Sequence, residues 1–490
     1  MKILLLFLIG IASTLTYSQD GTLDTSFGNN GFAITDFFGR SDRGTSIAVQ
    51  DNGRIIIYGF ASHSGGGFSY ALAGHLPDGS LDSTFGIGGL VTTQIGNFYE
   101  EYFNSLHIQP DQKIITSTTF FENGEVGFLL VRYLPNGTLD TSFGTDGIVK
   151  TSYAENYLSG TVLLPDAKIL AGGSSTNGGD NSILLVKYLP DGSLDTSFGT
   201  NGSLFHFINN ESFKVFGIKV QSDNKIVVPY KTEENFVKKF QIARFLPNGD
   251  LDNDFGVDGI VEIESSSEVF HSSITIQDDG KILTSLRTQP GTSIKRFLPS
   301  GEIDTSFGNN GTAIIDGDIF TALKILIQPD NNIIVFGVTF GFEPDFNRTY
   351  RFNSEGILDT TFGANGYTAL GFEGADIAFQ QDGKLVIGGN TFFYSGSESL
   401  VVARLINGPL SVSEFENDSF KIYPNPSNGI FTIERELFSE NTPFQITDIT
   451  GKIISSGELT EKQTQLNLAA VQSGVYFLKT SKSVFRLLKN

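Results

Sequence analysis

The sequence of 490 residues contains no cysteine, no tryptophan and one methionine, and sets only 33 lysines and arginines against 54 aspartates and glutamates. Without cysteine there is no disulfide and no thiolate nucleophile or metal ligand, which fits a bacterial protein exported without redox chemistry. The net charge of −21 gives an average surface that repels nucleic acid and anionic membrane, so neither is expected as a partner. Long apolar runs are missing as well: nothing after the N-terminus reaches the roughly eighteen uninterrupted apolar residues of a spanning helix. The five histidines, His63, His75, His107, His206 and His271, stand at no metal-ligand spacing. No nucleophile elbow, HExxH or glycine loop leading into a helix occurs, which leaves most hydrolase and nucleotide chemistries without their residues.

What is abundant is glycine, at 56, and phenylalanine, at 44, a composition suited to tight turns around strands packed by aromatic rings. The first eighteen residues read as a secretory signal. Lys2 supplies the charged start, Ile3 to Ala12 the apolar centre, and Thr16-Tyr17-Ser18 the small-x-small site, placing the mature start near Gln19.

One phrase recurs seven times: LDTSFG from Leu23, LDSTFG from Leu81, LDTSFG from Leu139 and Leu194, LDNDFG from Leu251, IDTSFG from Ile303 and LDTTFG from Leu358. The Asp of each copy (Asp24, Asp82, Asp140, Asp195, Asp252, Asp304, Asp359) precedes small polar residues and is placed to cap a single turn. The Phe (Phe27, Phe85, Phe143, Phe198, Phe255, Phe307, Phe362) is expected to bury its ring as an anchor. The Gly (Gly28, Gly86, Gly144, Gly199, Gly256, Gly308, Gly363) ends the turn in a left-handed conformation.

Between anchors lie four strand-like stretches, in the third unit Gly147 to Tyr153, Gly160 to Leu164, Lys168 to Gly172 and Ser182 to Leu189. Turns of the type Pro165-Asp166-Ala167-Lys168 separate the second and third stretches, and turns of the type Pro190-Asp191-Gly192 follow the fourth. Turn chemistry and alternation together predict a four-stranded antiparallel meander per unit. Four strands in roughly fifty residues suit a propeller blade better than a solenoid coil, and radial closure hides the sheet edges. The fold class expected is therefore all-β: a seven-bladed β-propeller of four-stranded blades, then a small C-terminal β-sandwich. A propeller split over two domains, or an open array, is the alternative. The N-terminus opens on the link that elsewhere follows a fourth stretch, whereas the last such stretch ends at Asn407-Gly408 without an anchor. Closure thus requires residues near 21 and 408 to meet.

These features resemble the bacterial delta-60 repeat, marked by LDxxFGxxG and a following DGKI-type turn, over about residues 20 to 408. The turn glycine is kept only at Gly53, Gly280 and Gly383, and Asn332 replaces the basic residue. That resemblance implies architecture and no agreed activity.

Periodicity stops after Pro409. Seven short strand candidates in the last seventy residues suggest a β-sandwich. Tyr423-Pro424-Asn425-Pro426, Asn428-Gly429, Asp448 with Gly451-Lys452, Leu468, Gly474-Val475-Tyr476 and the basic Arg486 and Lys489 resemble the type A sorting domain of the type IX secretion system. The resemblance implies passage through the periplasm, export across the outer membrane, removal of the module near residues 409 to 420, and release or surface attachment, with the secretion machinery as partner. The expected division is 1–18 signal, 19–408 repeats, 409–418 linker and 419–490 sorting domain.

Chemistry has few footholds. A sevenfold ring of carboxylates offers Ca²⁺ or a sugar a place, but turn capping accounts for these aspartates without a ligand, and no cofactor is expected. Arg132, Lys187, Arg244, Arg296, Arg351 and Arg404 recur at one point of the fourth stretch, with His75 in the second unit, as an anion-binding row or as partners of the acids. Phe98-Tyr99, Phe120-Phe121 and Phe392-Phe393-Tyr394 suit either sugar stacking or packing. The reading is a monomeric, non-catalytic extracellular propeller binding a polysaccharide or protein. The alternatives are a propeller enzyme acting on polysaccharide, a lyase or glycosidase using unrepeated acids such as Glu100, Glu101, Glu233 or Glu343, and a structural surface-layer component.

Overall fold

The structure, a computed structural model, describes residues 19–408 apart from 65–66, 96, 99–103, 154, 178–179, 209–211, 236, 265–271, 288–290, 316–319, 340–346 and 392–396, and residues 420–489 apart from 426, 436–441, 449–451, 473 and 481–483. The expected signal at 1–18 and linker at 409–418 lie outside the described residues, as do Tyr99, Glu100, Glu101, His271, Glu343, Phe392, Phe393, Tyr394, Pro426 and Gly451. Among the described residues every regular element is a strand. The chain divides into two compact units, Met1–Gly408 and Pro409–Asn490.

The first unit is built from four-stranded antiparallel sheets in chain order. In one, strands Asp42–Val49, Ile55–Ser62, Phe68–His75 and Leu90–Thr93 pair in sequence. The middle strands read IIIYGFAS and FSYALAGH and are buried along almost their whole length. Such strands are covered on both faces, so each sheet packs against a neighbour on either side. Ile56, Tyr58, Phe60 and Leu72 accordingly share one core with Ile114, Leu129, Val131 and Tyr133 of the next sheet. Ser105–Ile108, Ile114–Glu122, Glu125–Tyr133 and Ile148–Thr151 follow, then Glu155–Leu163, Ile169–Asn177, Asp180–Tyr188 and Ser203–Ile208. A single parallel bridge, Glu155 to Val126, joins these two sets. The pattern continues through sheets whose first strands are Ser212–Val215 with Lys219–Val220, Ile274–Ile276 and Phe320–Ile327.

Glu373–Phe379, Leu385–Asn390 and Leu400–Leu405 complete the repeats with three strands only. Their fourth comes from the N-terminus: Phe32–Thr35 pairs antiparallel with Leu400–Leu405, Phe32 opposite Ala403. Gly21 N donates to Ile406 O at 2.5 Å and Ile406 N to Thr22 O at 2.8 Å. The unit is a β-propeller closed by joining its two ends.

Sequence unit and sheet are offset by one strand. The stretch after each anchor does not open a new sheet; it returns to pair with the strand before the anchor, Ile148 opposite Val131. The compact LDxxFG turn reverses the chain beside its own sheet, and short connections keep consecutive strands adjacent.

In the second unit, Phe420–Tyr423, Ile430–Arg435 and Gln463–Asn467 form one sheet, and Ile453–Leu459, Thr442–Asp448, Gly474–Thr480 and Val484–Lys489 the other. Phe431, Ile433, Ile446, Leu459, Leu478 and Leu487 share their core.

Candidate functional site

Each LDxxFG phrase folds into a latch between neighbouring sheets. Asp140 Oδ1 accepts from Ser142 N at 3.1 Å and Ser142 Oγ at 2.6 Å, while Phe143 N donates to Asp140 O at 3.0 Å. Gly144, at φ +54°, donates to Asp191 O in the next sheet at 2.8 Å. Arg132 lies over the Phe143 ring at 4.4 Å, donates Nε to Asp140 Oδ2 at 2.8 Å and donates Nη1 to the Pro190 carbonyl. Lys113 approaches Asp140 Oδ2 at 3.3 Å. A Cβ on Gly192 would lie 2.9 Å from the Phe143 ring, so this turn needs glycine.

The same triad joins Arg404 to Asp24 over Phe27, Arg244 to Asp252 over Phe255, Arg296 to Asp304 over Phe307 and Arg351 to Asp359 over Phe362. Gly28, Gly86, Gly144, Gly199, Gly256, Gly308 and Gly363 all lie between φ +53° and +58°. The last latch closes on the N-terminus, Gly363 N donating to Asp20 O at 2.7 Å and Arg351 Nη1 to Asp20 Oδ2 at 2.8 Å. Burial by itself would raise the Asp24 and Asp140 carboxyls. Bonds from Ser26 or Ser142 and the facing Lys384 with Arg404, or Lys113 with Arg132, outweigh it and hold both at about 2. These carboxylates and the basic row are engaged with one another, as paired turn caps.

Two copies depart. Where His75 stands, Arg54 of the preceding turn takes over, donating Nε to Asp82 Oδ2 at 2.6 Å and Nη1 to Pro135 O at 2.9 Å beside Phe85. Where Lys187 stands, its ammonium lies 4.0 Å from Asp195 Oδ2 and 5.7 Å from the Phe198 ring centre. The Gly199 N to Asn248 O bond there lengthens to 3.4 Å, against 2.8 Å for Gly144 to Asp191. A cavity of about 300 Å³ opens beside Lys187, lined also by Leu164, Leu170, Val220, Ile226 and Pro247.

The remaining candidates are scattered. His63 meets Ser69 Oγ at 2.6 Å, His75 meets Thr35 Oγ1 at 2.9 Å, and His206 packs on Phe245. Burial lowers His75 to about 4 and also lowers His206. No group of three or more acids and histidines suited to a metal exists among the described residues. Glu233 pairs in register with Ser212 and Lys238, and Phe120 is core.

A different set converges at the axis. The first strand of each sheet neighbours the first strands on either side, Asp42–Val49 packing on Glu373–Phe379 and Ser105–Ile108. Aligned on the residue that closes this strand (Gln50, Gln109, Leu164, Gln221, Gln277, Gln328, Gln380), the position four earlier is Ser46, Ser105, Gly160, Gly217, Ser273, Lys324 and Asp376. Two earlier stand Ala48, His107, Val162, Lys219, Thr275, Leu326 and Ala378. Charge enters a register otherwise small or uncharged. Lys324 Nζ meets Asp376 Oδ1 at 2.6 Å, and Asp376 Oδ2 accepts from Ser46 Oγ at 2.8 Å and Ile47 N at 3.0 Å, tying the last sheet to the first. His107 Nε2 lies 3.0 Å from Thr161 Oγ1, and burial, with the charges of Lys219 and Lys324, lowers it to about 4. Lys219 is exposed to water on its short strand. Desolvation, aided by the charge of Lys324 and opposed by Asp376, pushes its ammonium down to about 8. Among the described residues no ion pair or hydrogen bond holds the Lys219 ammonium.

The sequence reading singled out His107 only as a histidine and missed Lys219, Lys324 and Asp376. Their signal was a break in one register of the repeat, visible once copies are aligned on the closing glutamine.

In the second unit, Asn425 Oδ1, after the exposed Pro424, accepts from Leu488 N at 2.8 Å, and Ser427 N donates to Leu488 O at 2.9 Å. Lys489 Nζ donates to Ala469 O at 3.3 Å, beside Gly429. Lys452 N donates to Asp448 Oδ1 at 3.1 Å, Gly474 opens its strand, and Tyr476 Oη donates to Gln472 O at 2.6 Å. Much of this motif fastens the C-terminal strand to the sandwich.

A family described as Secretion system C-terminal sorting domain matches residues 421–489. A second, described as Domain of unknown function (DUF5122) beta-propeller, matches 50–85, 109–143, 164–198, 328–362 and 380–405. No curated protein matches the chain. Similar solved structures include virginiamycin B lyase from Staphylococcus aureus, at 15% identity and TM-score 0.44, covering 76% of this chain and 98% of that one. The polysaccharide lyase Uly1 is similar at 13% identity and TM-score 0.45, covering 80% and 94%. Sqt1 from Chaetomium thermophilum is similar at 10% identity and TM-score 0.40, covering 77% and 98%. The chain thus carries beta-propeller repeats of the second family and ends in a type IX secretion sorting domain, which directs it out of the cell for release or attachment at the surface.

Proposed function

We propose that this exported protein is a non-catalytic scaffold that binds a polysaccharide or protein outside the cell, on a ring of seven blades, one per LDxxFG anchor. One latch per four-stranded sheet, and a last sheet completed by Phe32–Thr35, support that count. The observation that carries the binding role is the axial group: unrepeated, charged side chains on a rigid ring whose repeated acids and bases are already paired. Two processing steps belong to the reading, removal of 1–18 and of the sorting module near residues 409 to 420. Glycan-array and surface-extract binding by the mature chain tests it, with signal expected on at least one extracellular component. A silent array together with no captured surface component overturns it.

A lyase acting on polysaccharide is the second reading, favoured by Lys219, whose depressed value of about 8 brings it near the range useful to a general base. A glycosidase, which uses a pair of carboxylates, would need a partner for Asp376, the one carboxylate of the axial group among the described residues. Release of unsaturated product from acidic polysaccharides, absent in Lys219→Met, would establish the lyase.

A further inference from the structure

We propose that the axial group around Lys219 is a binding site for a carboxylate carried by an acidic sugar. This rests on the reading of the propeller as a binder of extracellular glycan. Among the described residues, Lys219 and Lys324 bring two positive charges to the axial group and Asp376 one negative, while His107 is neutral at physiological pH, a surplus of one positive charge in a chain of net charge −21.

Asp376 does not relieve Lys219. One of its oxygens is held by Lys324 and the other by Ser46 and Ile47. The strand Ile274–Ile276, packed beside Lys219–Val220, brings no charge, and Ile226–Glu234 meets Lys219 at Val227. An exposed ammonium with no anion on it among the described residues pairs favourably with an incoming carboxylate through a charge-assisted hydrogen bond. One surplus charge matches a monoanion better than a dianion. Ser46, Ser105, Gly160, Gly217 and Ser273, at the neighbouring register, are small or hydroxylated and none is a large apolar residue.

Binding needs Lys219 protonated. A lysine whose value is lowered loses its charge as pH rises through about 8, so affinity is full below that pH and fades above it.

Calorimetric titration of the mature chain with D-glucuronate, glucose and sulfate, a dianion at both values, at about pH 6.5 and about pH 9.5 tests the site. Glucuronate is expected to bind at the lower pH, with glucose and sulfate at least about tenfold weaker. Affinity should fall about thirtyfold at the higher pH, where roughly one lysine in thirty keeps its proton, and be lost in Lys219→Met at an unchanged thermal midpoint. Lys219→Arg, charged throughout, should retain binding at both pH values. Absence of glucuronate binding, equal binding by Lys219→Met, or sulfate binding as tight as glucuronate overturns the site. An array signal that persists in Lys219→Met would sink this site and leave the binding scaffold standing, whereas a silent array with wild type removes the scaffold itself.

Discussion

Lys187 shows how much one side chain contributes to a latch. Five arginines at its register fork between an aspartate of their own sheet and the next segment of the ring, and each lies over a buried phenylalanine. Lysine has a point charge in place of the planar fork. It reaches neither Pro247 nor a close bond with Asp195, and the seam beside it is open. Lys187→Arg should close that cavity and raise stability by about 1 kcal/mol, read as a higher denaturant midpoint at constant slope; no gain would mean that the cavity has another origin. The latch aspartates also set the acid limit. Asp24 and Asp140 sit at about 2 in the folded chain against about 3.9 when unfolded, so each lends stability above about pH 4 that is lost as pH falls through 2, on the order of 2 kcal/mol apiece. Asp42 runs the other way: burial raises it to about 6, so its ionisation withdraws stability between about pH 4 and 6. Denaturant midpoints measured across this range should fall steeply below pH 4, and Asp42→Asn should flatten the change above it.

At the scale of elements, the turn between the first two strands of each sheet keeps its geometry where the glycine is gone. Gln112, Ala167, Asn224 and Asn331 adopt φ of +63° to +66° in the place Gly53, Gly280 and Gly383 occupy. Asparagine tolerates this region; alanine does so at a cost. Ala167→Gly should therefore stabilise by about 0.5–1 kcal/mol, measured by the thermal midpoint, despite the added freedom of the unfolded chain. The strands, anchors and turns were legible because each rests on local chemistry: capping by Asp, positive φ at Gly, and β-branched runs. The offset between repeat and sheet was not, because pairing Ile148 with Val131 rather than with the strand that follows is a choice between two partners of equal local quality. What decides it is the folding of the LDxxFG turn against its own sheet.

For the propeller as a whole, Phe32–Thr35 carries the closure. It pairs with Leu400–Leu405 across more than three hundred residues of chain, and the last latch ends on Asp20. Deleting residues 19–35 should expose the Leu400–Leu405 edge, which is buried in the closed ring, and yield protein that associates in size-exclusion chromatography and loses amide protection in that strand first. A monomeric, fully protected deletion variant would show that closure is dispensable. Export belongs to this scale too, since the sorting domain forms a compact unit with its own core.

By itself the sequence determined the recurring turn, the all-β class, the joining of the two ends and the sorting domain, since each is encoded within a few residues or by regular repetition. Tertiary structure decided that the repeated arginines latch sheet to sheet: Arg132 meets Asp140 only eight residues along the chain, but its second contact, the Pro190 carbonyl, belongs to the next sheet. It also decided which charges meet at the axis: Lys219, Lys324, Asp376 and His107 are drawn from four sheets, and only closure of the ring brings their fields together.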